Sequence, residues 1–269
     1  MISNTDRTAM GLAQPSLRPV YRQPLTRLMA TLCLWLAIVA SGQADEPDTL
    51  AALTFITEEY PPYNYIDNQQ LTGISIDLLE AIFAATETPL SRNDVRHYPW
   101  IRGYELARSQ PNTVLFSTTR TPSREVNFHW VGPIAQDRVV LLAHRDAPIV
   151  VDSLAQAIDR GLTVAVIRED IGAQALLEAG YPERLLVSAI DNRSAFNMLT
   201  RGRVDLWAYS QDVAGWIAES EGYPKDILIP THTLSKSSLY FAINKATDPR
   251  LVALMQQALN RVQAGRVER

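Results

Sequence analysis

Short apolar runs alternate with amphipathic stretches along most of the chain. The runs at residues 51–57, 113–116 and 162–167 are rich in β-branched and other apolar side chains, which predicts buried strands. Between them, as at residues 75–86, apolar side chains return every three or four positions, which predicts helices that pack one face on a core. This alternation indicates an α/β fold with mainly parallel sheets and right-handed crossovers.

The alternation forms two successive units. The first unit has predicted strands at 51–57, 94–98 and 113–116 and predicted helices at 75–86 and 100–109. After Pro148, the second unit has predicted strands at 149–151, 162–167, 185–187 and 204–209 and predicted helices from 153 and at 172–178, 194–200 and 211–221. Two further strands, at 138–143 and 237–243, would cross between the units, and a long amphipathic helix follows at 249–262.

Two units of this kind predict two lobes, each about a hundred residues long, which is a normal domain size. We expect the first lobe to comprise residues 45–143 plus 237–269 and the second lobe to comprise residues 144–236. The two mainly parallel sheets would be joined by the crossing strands. A ligand would lie in the cleft between the lobes.

The first 44 residues have the layout of a signal peptide. A basic head with four arginines precedes an apolar run at residues 28–40, and the small residues Gly42 and Ala44 suit a cleavage site. The run is shorter than the roughly 20 residues that a membrane-spanning helix needs, so we expect cleavage after Ala44 and export to the periplasm as a soluble protein. The alternatives are an uncleaved N-terminal anchor and a later translation start, at Met10 or Met29.

Composition and charge exclude several classes of protein. The chain is 46% hydrophobic and 20% charged, which is a globular balance. Residues 1–44 carry a surplus of three positive charges, so the formal net charge of −4 leaves the remainder with −7. Such an acidic body argues against a nucleic-acid partner. Cys33 is the only cysteine and lies in the apolar run, and the four histidines have no metal-ligand spacing, so we expect no disulfide, metal or cofactor.

A strand-to-loop junction at residues 116–124 carries the clearest candidate site. Backbone N–H groups there, with the hydroxyls of Ser117 and Thr119, can bind an anion, and Arg124 offers a planar fork that matches a carboxylate. In the alternative interpretation, the hydroxyls cap the turn and Arg124 pairs at the surface with Glu125 or Asp137.

Aromatic side chains follow two of the predicted first-lobe strands. Tyr60, Tyr63 and Tyr65 lie in a loop that two prolines stiffen, and Trp100 stands where a strand leads into a helix. These rings could wall a pocket or pack in a core. We prefer the core interpretation for Tyr65 and for Trp100.

Four motifs, in this order and spacing, resemble the extracytoplasmic solute-binding proteins of family 3, the periplasmic amino-acid receptors of ABC importers typified by the histidine- and glutamine-binding proteins. The motifs are Tyr-Pro-Pro-Tyr at 60–63, Gly-Ile-Ser-Ile-Asp-Leu at 73–78, Thr-Pro-Ser-Arg at 121–124 with Phe128, and Gly-Arg-Val-Asp at 202–205. The likeness covers nearly the whole chain after residue 44. It implies a two-lobed periplasmic binding protein-like fold of type II.

The resemblance also implies roles for single residues of the first lobe. The aromatic lid of the family matches Tyr60, its hydroxyl ligands match Ser117 and Thr119, and its carboxylate-binding arginine matches Arg124. This assignment agrees with the interpretation of the junction at residues 116–124.

The second lobe departs from the family at two places. At the turn 168–172, Arg168 could reach an anionic group, while Asp170 could accept from an ammonium or cap the next helix. The family's aspartate for the α-amino group is replaced by Ser210, with Asp212 two residues later. Either Asp212 takes that role or the ligand lacks an α-amino group.

The resulting interpretation is a monomeric binding protein without catalysis. It would capture a small carboxylate-bearing solute, for which an amino acid is the favoured candidate, and close about a hinge. It would then pass the solute to an ABC importer or another membrane partner. One alternative is an enzyme of the prephenate dehydratase type, with Glu169, Asp170 or Asp212 as its general acid. Another is a free-standing receptor that signals through a separate membrane protein.

Overall fold

Strands and helices alternate through the part of the chain that the computed structural model describes, residues 49–267. The described strands are β1 (Thr54–Thr57), β2 (Tyr65–Asp67), β3 (Gln70–Thr72), β4 (Arg96–His97), β5 (Thr113–Thr119), β6 (Phe128–His144), β7 (Val164–Ile167), β8 (Leu186–Ala189), β9 (Leu206–Ser210) and β10 (Leu228–Asn244). The described α-helices are α1 (Ile74–Ala85), α2 (Trp100–Ser109), α3 (Leu154–Asp159), α4 (Ile171–Glu178), α5 (Asn192–Thr200), α6 (Gln211–Ser220) and α7 (Pro249–Val267).

Two groups of parallel strands flank a central pair of long antiparallel strands. The strand order is β4-β1-β5-β10-β6-β9-β7-β8, and the hairpin β2–β3 lies outside this sheet. Strand β1 pairs in parallel with β4 and β5, and β7 pairs in parallel with β8 and β9. Strands β6 and β10 run antiparallel between the groups. The predicted α/β architecture with two crossing strands is confirmed. Hydrogen-bonded strand pairing is continuous through all eight strands of the sheet.

Each lobe has its own apolar core, and a third cluster spans both. In the first lobe (β1–β5, α1, α2 and α7), Phe83 and Met255 belong to one buried cluster. In the second lobe (β7–β9 and α3–α6), Leu176 and Leu206 belong to another. The third cluster contains Trp100 of the first lobe and Trp207 of the second. Apolar packing therefore continues across the junction between the lobes.

The crossing strands extend well beyond the predicted ranges 138–143 and 237–243. Strands β6 and β10 have 17 residues each and pair from Leu228 with His144 to Asn244 with Phe128. Residues 232–238 are mostly polar, and the pairing register shifts at several bulges, so neither alternation nor an apolar run marks this part of the strand.

Other local predictions were wrong. Residues 149–151 were predicted as a strand but form none, and the hairpin β2–β3 was not predicted. Helix α1 begins at Ile74, one residue earlier than predicted, so Ser75 lies inside its first turn and is fully buried.

Gly73 precedes α1 and fixes the loop that carries Tyr60 and Tyr63. Its φ is +120°, and a Cβ at this position would lie 2.4 Å from the carbonyl oxygen of Tyr63. Only glycine fits this close backbone approach. The following amides of Ile74 and Ser75 donate to the carbonyls of Pro62 and Tyr63 at 3.1 and 2.8 Å. The helix therefore holds the aromatic loop directly.

The predicted signal peptide, residues 1–44, lies outside the described residues. Within residues 49–267, none of the helices combines the length and the apolar character needed to cross a bilayer. The lobe boundaries at residues 143 and 236 stay predictions.

Candidate functional site

A group of buried polar side chains lies where the two lobes meet. Its members come from the segments that follow strands β1, β5 and β7, from the last residue of β9 and from the crossing strand β6. In α/β sheets, the carboxyl ends of parallel strands are the usual position for ligand-binding residues. The buried members are Glu58, Tyr60, Arg124, Asp137, Asp170 and Ser210.

Arg124 links the two lobes. It ends a 3-10 turn, Pro122–Arg124, and only 1% of its surface is exposed. Its Nη1 donates to the Thr119 carbonyl at 3.0 Å, and its Nη2 donates to the Glu169 carbonyl of the second lobe at 2.9 Å. The alternative of a surface pair with Glu125 is wrong, because Arg120 makes that ion pair.

Two aromatic rings cover the Arg124 guanidinium. Its central carbon lies 5.1 Å from the centre of the Trp100 ring and 5.3 Å from that of Tyr104, and these two rings stack on each other. Such cation–π contacts replace part of the water that the cation loses on burial. Burial nonetheless lowers the Arg124 pKa, against the opposing charge of Asp170.

Two buried donors in this place have no protein partner. Within the described chain, neither Arg124 Nε nor Trp100 Nε1 makes a hydrogen bond. A buried donor without an acceptor costs about 1–3 kcal/mol, so few such groups persist in folded proteins. Two of them on neighbouring side chains mark a position suited to an acceptor from outside the chain.

Three carboxyl groups share this interior with the single guanidinium. Glu58, Asp137 and Asp170 are each less than 8% exposed. Loss of hydration is the main cause that raises the pKa of all three, well above its ordinary value for Glu58 and to about 6 for Asp170. Arg124 opposes this effect at Glu58 and Asp170. Among the described residues, this interior therefore holds more carboxyl groups than cationic groups.

Asp137 joins the two lobes through the crossing strand β6. The Tyr60 hydroxyl of the first lobe donates to Asp137 Oδ2 at 3.0 Å, and the Ser210 hydroxyl donates to Oδ1 at 2.6 Å. Ser210 stands at the position where the sequence lacks the expected aspartate, and the structure brings the carboxylate of Asp137 to its side chain. Tyr60 also stacks on Tyr63 and meets Tyr209 edge to face.

Replacing Ser210 with alanine should lower the free energy of unfolding by about 1–2 kcal/mol, because Asp137 Oδ1 would lose its buried donor and the Val213 amide would lose its capping acceptor. Urea denaturation measures this change. Ser220→Ala is the matched control, since its hydroxyl contacts the Ile217 carbonyl at the other end of α6. Equal losses in both variants would show that the contact between Ser210 and Asp137 contributes little.

The hydroxyl of Ser117 belongs to a network behind the buried group. Its Oγ donates to Asn64 Oδ1 and lies 2.9 Å from Ser75 Oγ, while Asn64 Nδ2 donates to the Glu58 carbonyl at 2.8 Å. This network supports the segment that carries Glu58. Thr119 is buried, and its carbonyl accepts from Arg124.

Of the two ligand-binding residues predicted in the turn after β7, one is exposed and one is buried. Arg168 is exposed, whereas Asp170 is buried and its Oδ1 accepts from the Ile171 amide at 2.7 Å. Asp170 therefore is the N-cap residue of α4 and also lies close enough to Arg124 to influence its pKa. Between them, Glu169 has a φ of +61° and presents its carbonyl to Arg124.

Asp212 does not join the buried group. Its carboxylate is exposed and lines a separate cavity near helix α6. We call the buried region where the two lobes meet the seam. The structure leaves two of the nine predicted site residues, Arg168 and Asp212, exposed. It brings the other seven into or beside the seam: Tyr60, Trp100, Ser117, Thr119, Arg124, Asp170 and Ser210.

Sequence reasoning missed Glu58 and gave Asp137 only a surface role. Glu58 directly follows the buried strand β1, and that position was the available signal. Asp137 reaches Ser210 only because β6 pairs with β9 in the register that sets Val139 opposite Ser210. Nothing in the local sequence specifies that register.

Two cavities reach the buried group along the seam between the lobes. One, of about 500 Å³, is lined by Glu58 and Trp100 of the first lobe and by Ile167 and Asn192 of the second. The other, of about 390 Å³, reaches Arg124. Both volumes suit a small organic molecule. Among the described residues, no three His, Cys, Asp or Glu side chains are grouped to hold a metal ion.

Solved structures share this fold. A histidine kinase sensor domain with similarity to periplasmic binding proteins has a TM-score of 0.68 at 22% identity, covering 80% of this chain and 95% of its own. The arginine-, lysine-, histidine-binding protein ArtJ from Geobacillus stearothermophilus has a TM-score of 0.65 at 17% identity, covering 79% and 90%. The ancestral amino acid-binding protein AncCDT-1, a precursor of cyclohexadienyl dehydratase, has a TM-score of 0.63 at 21% identity, covering 79% and 90%.

At these identities, the structural likeness shows the fold alone. Among curated proteins, none matches the chain. The family model, however, matches residues 53–268, which include the strands of both lobes and every residue of the buried group. Together with the two-lobed fold, this match shows that the chain belongs to the bacterial extracellular solute-binding proteins, family 3.

Proposed function

We propose that the protein is an exported, monomeric receptor that captures an amino acid in the seam between its lobes and delivers it to an ABC importer. The two unpartnered donors, Arg124 Nε and Trp100 Nε1, carry this proposal. A ligand carboxylate placed against them would satisfy both, and the planar guanidinium suits a carboxylate well.

The carboxyl groups of the seam favour a ligand with positive charge. Glu58, Asp137 and Asp170 face one guanidinium, so an α-ammonium alone leaves the interior with a surplus of acceptors. An amino acid with a cationic side chain supplies a second positive group. The shared fold of ArtJ, an arginine-, lysine-, histidine-binding protein, supports this class of ligand.

Closure of the lobes would accompany capture. Arg124 donates to the Glu169 carbonyl, and Asn192 Nδ2 donates to the Glu59 carbonyl at 2.7 Å. A side chain of each lobe thus donates a hydrogen bond to a backbone carbonyl of the other lobe. The crossing strands β6 and β10 provide the hinge. A ligand that contacts both lobes stabilises the closed arrangement by its difference in affinity for the two forms.

A thermal-shift screen of residues 45–269 tests the ligand class. Arginine and lysine should raise the melting temperature, since a ligand at 100 times its dissociation constant stabilises the folded state by about 2.7 kcal/mol. Glutamine should act weakly and glutamate should have no effect. Stabilisation by deaminated acids but not by amino acids would contradict the proposed role of the three carboxyl groups.

Under this proposal the protein is not an enzyme. The same screen can contradict this if it includes a substrate whose consumption is followed. The raised pKa values of Glu58 and Asp170 are a property that a general acid needs. Prephenate therefore belongs in the screen, with its disappearance followed by absorbance. Consumption of prephenate at enzyme-like rates would replace the receptor with an enzyme of the dehydratase type.

Delivery to an importer is tested separately from binding. Deleting the gene should abolish high-affinity uptake of the radiolabelled ligand by whole cells, and a plasmid copy should restore it. Unchanged uptake, together with a lost transcriptional response to the ligand, would identify a free-standing sensor instead.

A further inference from the structure

A cavity of about 660 Å³ lies apart from the seam site and is lined by both lobes. The first lobe contributes Tyr63 and Ile74, and helix α6 of the second lobe contributes Gln211, Asp212 and Trp216. Near it, the ring of Tyr65 packs 4.8 Å from that of Trp216, which is a further contact between the lobes. The volume lies in the range of sites that hold small organic molecules.

The walls of this cavity combine apolar surface with hydrogen-bond acceptors. Ile74 leaves 48% of its surface exposed, and Trp216 offers an indole ring. Gln211 Oε1 is inaccessible to water and, in the described chain, has no donor. The carboxylate of Asp212 is exposed at the same helix end.

The charge of the lining is negative. Asp212 and Asp226 line the cavity, and the described lining includes neither lysine nor arginine. Asp226 has a partner, because Arg145 Nη1 lies 2.8 Å from its Oδ1, so the available charge is that of Asp212. Burial, followed by the charges of Asp137 and Asp212, raises the pKa of the Tyr63 phenol to about 12.

We propose that this cavity is a second binding site for an amphipathic organic cation, meaning an ammonium or guanidinium group on a hydrocarbon stem. The cationic end would contact the exposed carboxylate of Asp212. The stem would lie against Trp216 and Ile74, since an indole face attracts cations and apolar groups alike.

Occupancy of this site would favour closure of the seam. Because both lobes line the cavity, a bound cation contacts them together and stabilises that arrangement. Tyr63 belongs to the cavity wall and stacks on Tyr60, which donates to Asp137 inside the seam. The two sites are therefore linked through two stacked rings, and each ligand should strengthen binding of the other.

Fluorine NMR of residues 45–269 labelled with 5-fluorotryptophan tests the site, with hexylamine as the probe. The Trp216 resonance, assigned by its loss in Trp216→Phe, should shift saturably. Hexanoate, which has the same stem and the opposite charge, should leave it unmoved. The Trp100 resonance reports on ligand binding in the seam, whereas the Trp216 resonance reports on the second cavity. The two proposals can therefore fail independently and be told apart.

Matched variants test the role of charge. Asp212→Asn should weaken hexylamine binding about tenfold, which corresponds to 1.4 kcal/mol. Asp159→Asn, which removes an exposed carboxylate of helix α3 outside the cavity, should leave it unchanged. The proposal is overturned if hexanoate binds as tightly as hexylamine, if both variants lose affinity equally, or if the Trp216 resonance never shifts saturably.

Discussion

Replacing Arg124 with methionine should reduce affinity for the seam ligand by at least about 100-fold. Truncating one partner of a buried, hydrogen-bonded charge pair costs 2–5 kcal/mol or more, because the opposite charge is left buried without its partner. Here Glu58 and Asp170 would lose their shared countercharge, and the carbonyls of Thr119 and Glu169 would lose their donor. Isothermal titration with the best ligand of the screen measures the change.

Arg120→Met is the matched control for this variant. Arg120 lies in the same turn, but it is exposed and pairs with Glu125 at the surface, where ion pairs contribute little. Arg124→Lys keeps the charge and loses the planar fork, so it should fold and bind with intermediate affinity. Affinity within threefold of the wild type in a folded Arg124→Met would show that Arg124 does not bind the ligand.

The free energy of unfolding should fall as pH rises from about 4 to about 6. Burial raises the Asp170 pKa from its ordinary 3.8 to about 6, so the folded state holds a proton that the unfolded state has already released. For such a group, the stabilising contribution is complete below pH 4 and is lost as pH passes the folded-state pKa. The size of this loss for Asp170 is on the order of 2–3 kcal/mol. Glu58, whose pKa is also raised, contributes in the same direction.

Asp170→Asn isolates this contribution. Asparagine can cap α4 as aspartate does, but it carries no charge. Urea denaturation at several pH values should show that the variant gains stability relative to the wild type as pH rises. Asp159→Asn, at an exposed aspartate, should follow the wild type. If the wild type instead gained stability over Asp170→Asn with rising pH, attraction to Arg124 would outweigh the loss of hydration.

Strands and helices could be predicted from the sequence wherever the same face of the element is buried along its whole length. Apolar runs marked β1, β5 and β7, and amphipathic spacing marked α1 and α7. The crossing strands were underestimated because each contacts a different lobe at each end and changes register at bulges between them. A periodic pattern cannot persist through such changes of face.

The site could be predicted where its chemistry is local. Arg124 was identified from one turn that combines hydroxyls, proline and a guanidinium. Asp137 could not be placed, because its contacts with Tyr60 and Ser210 join residues 77 and 73 positions away. Glu58 was missed because an acid after a strand is common, and only the burial of its carboxyl group makes it unusual.

The shared pair of crossing strands has a consequence for how the molecule unfolds. Strands β6 and β10 form one ladder from Phe128 to His144, and elements of each lobe are hydrogen-bonded to its two edges. A polypeptide cut at residue 143 would divide that ladder and expose unpaired backbone groups on both fragments. Because both lobes are hydrogen-bonded to this one ladder, they should form a single cooperative unit and melt in one transition.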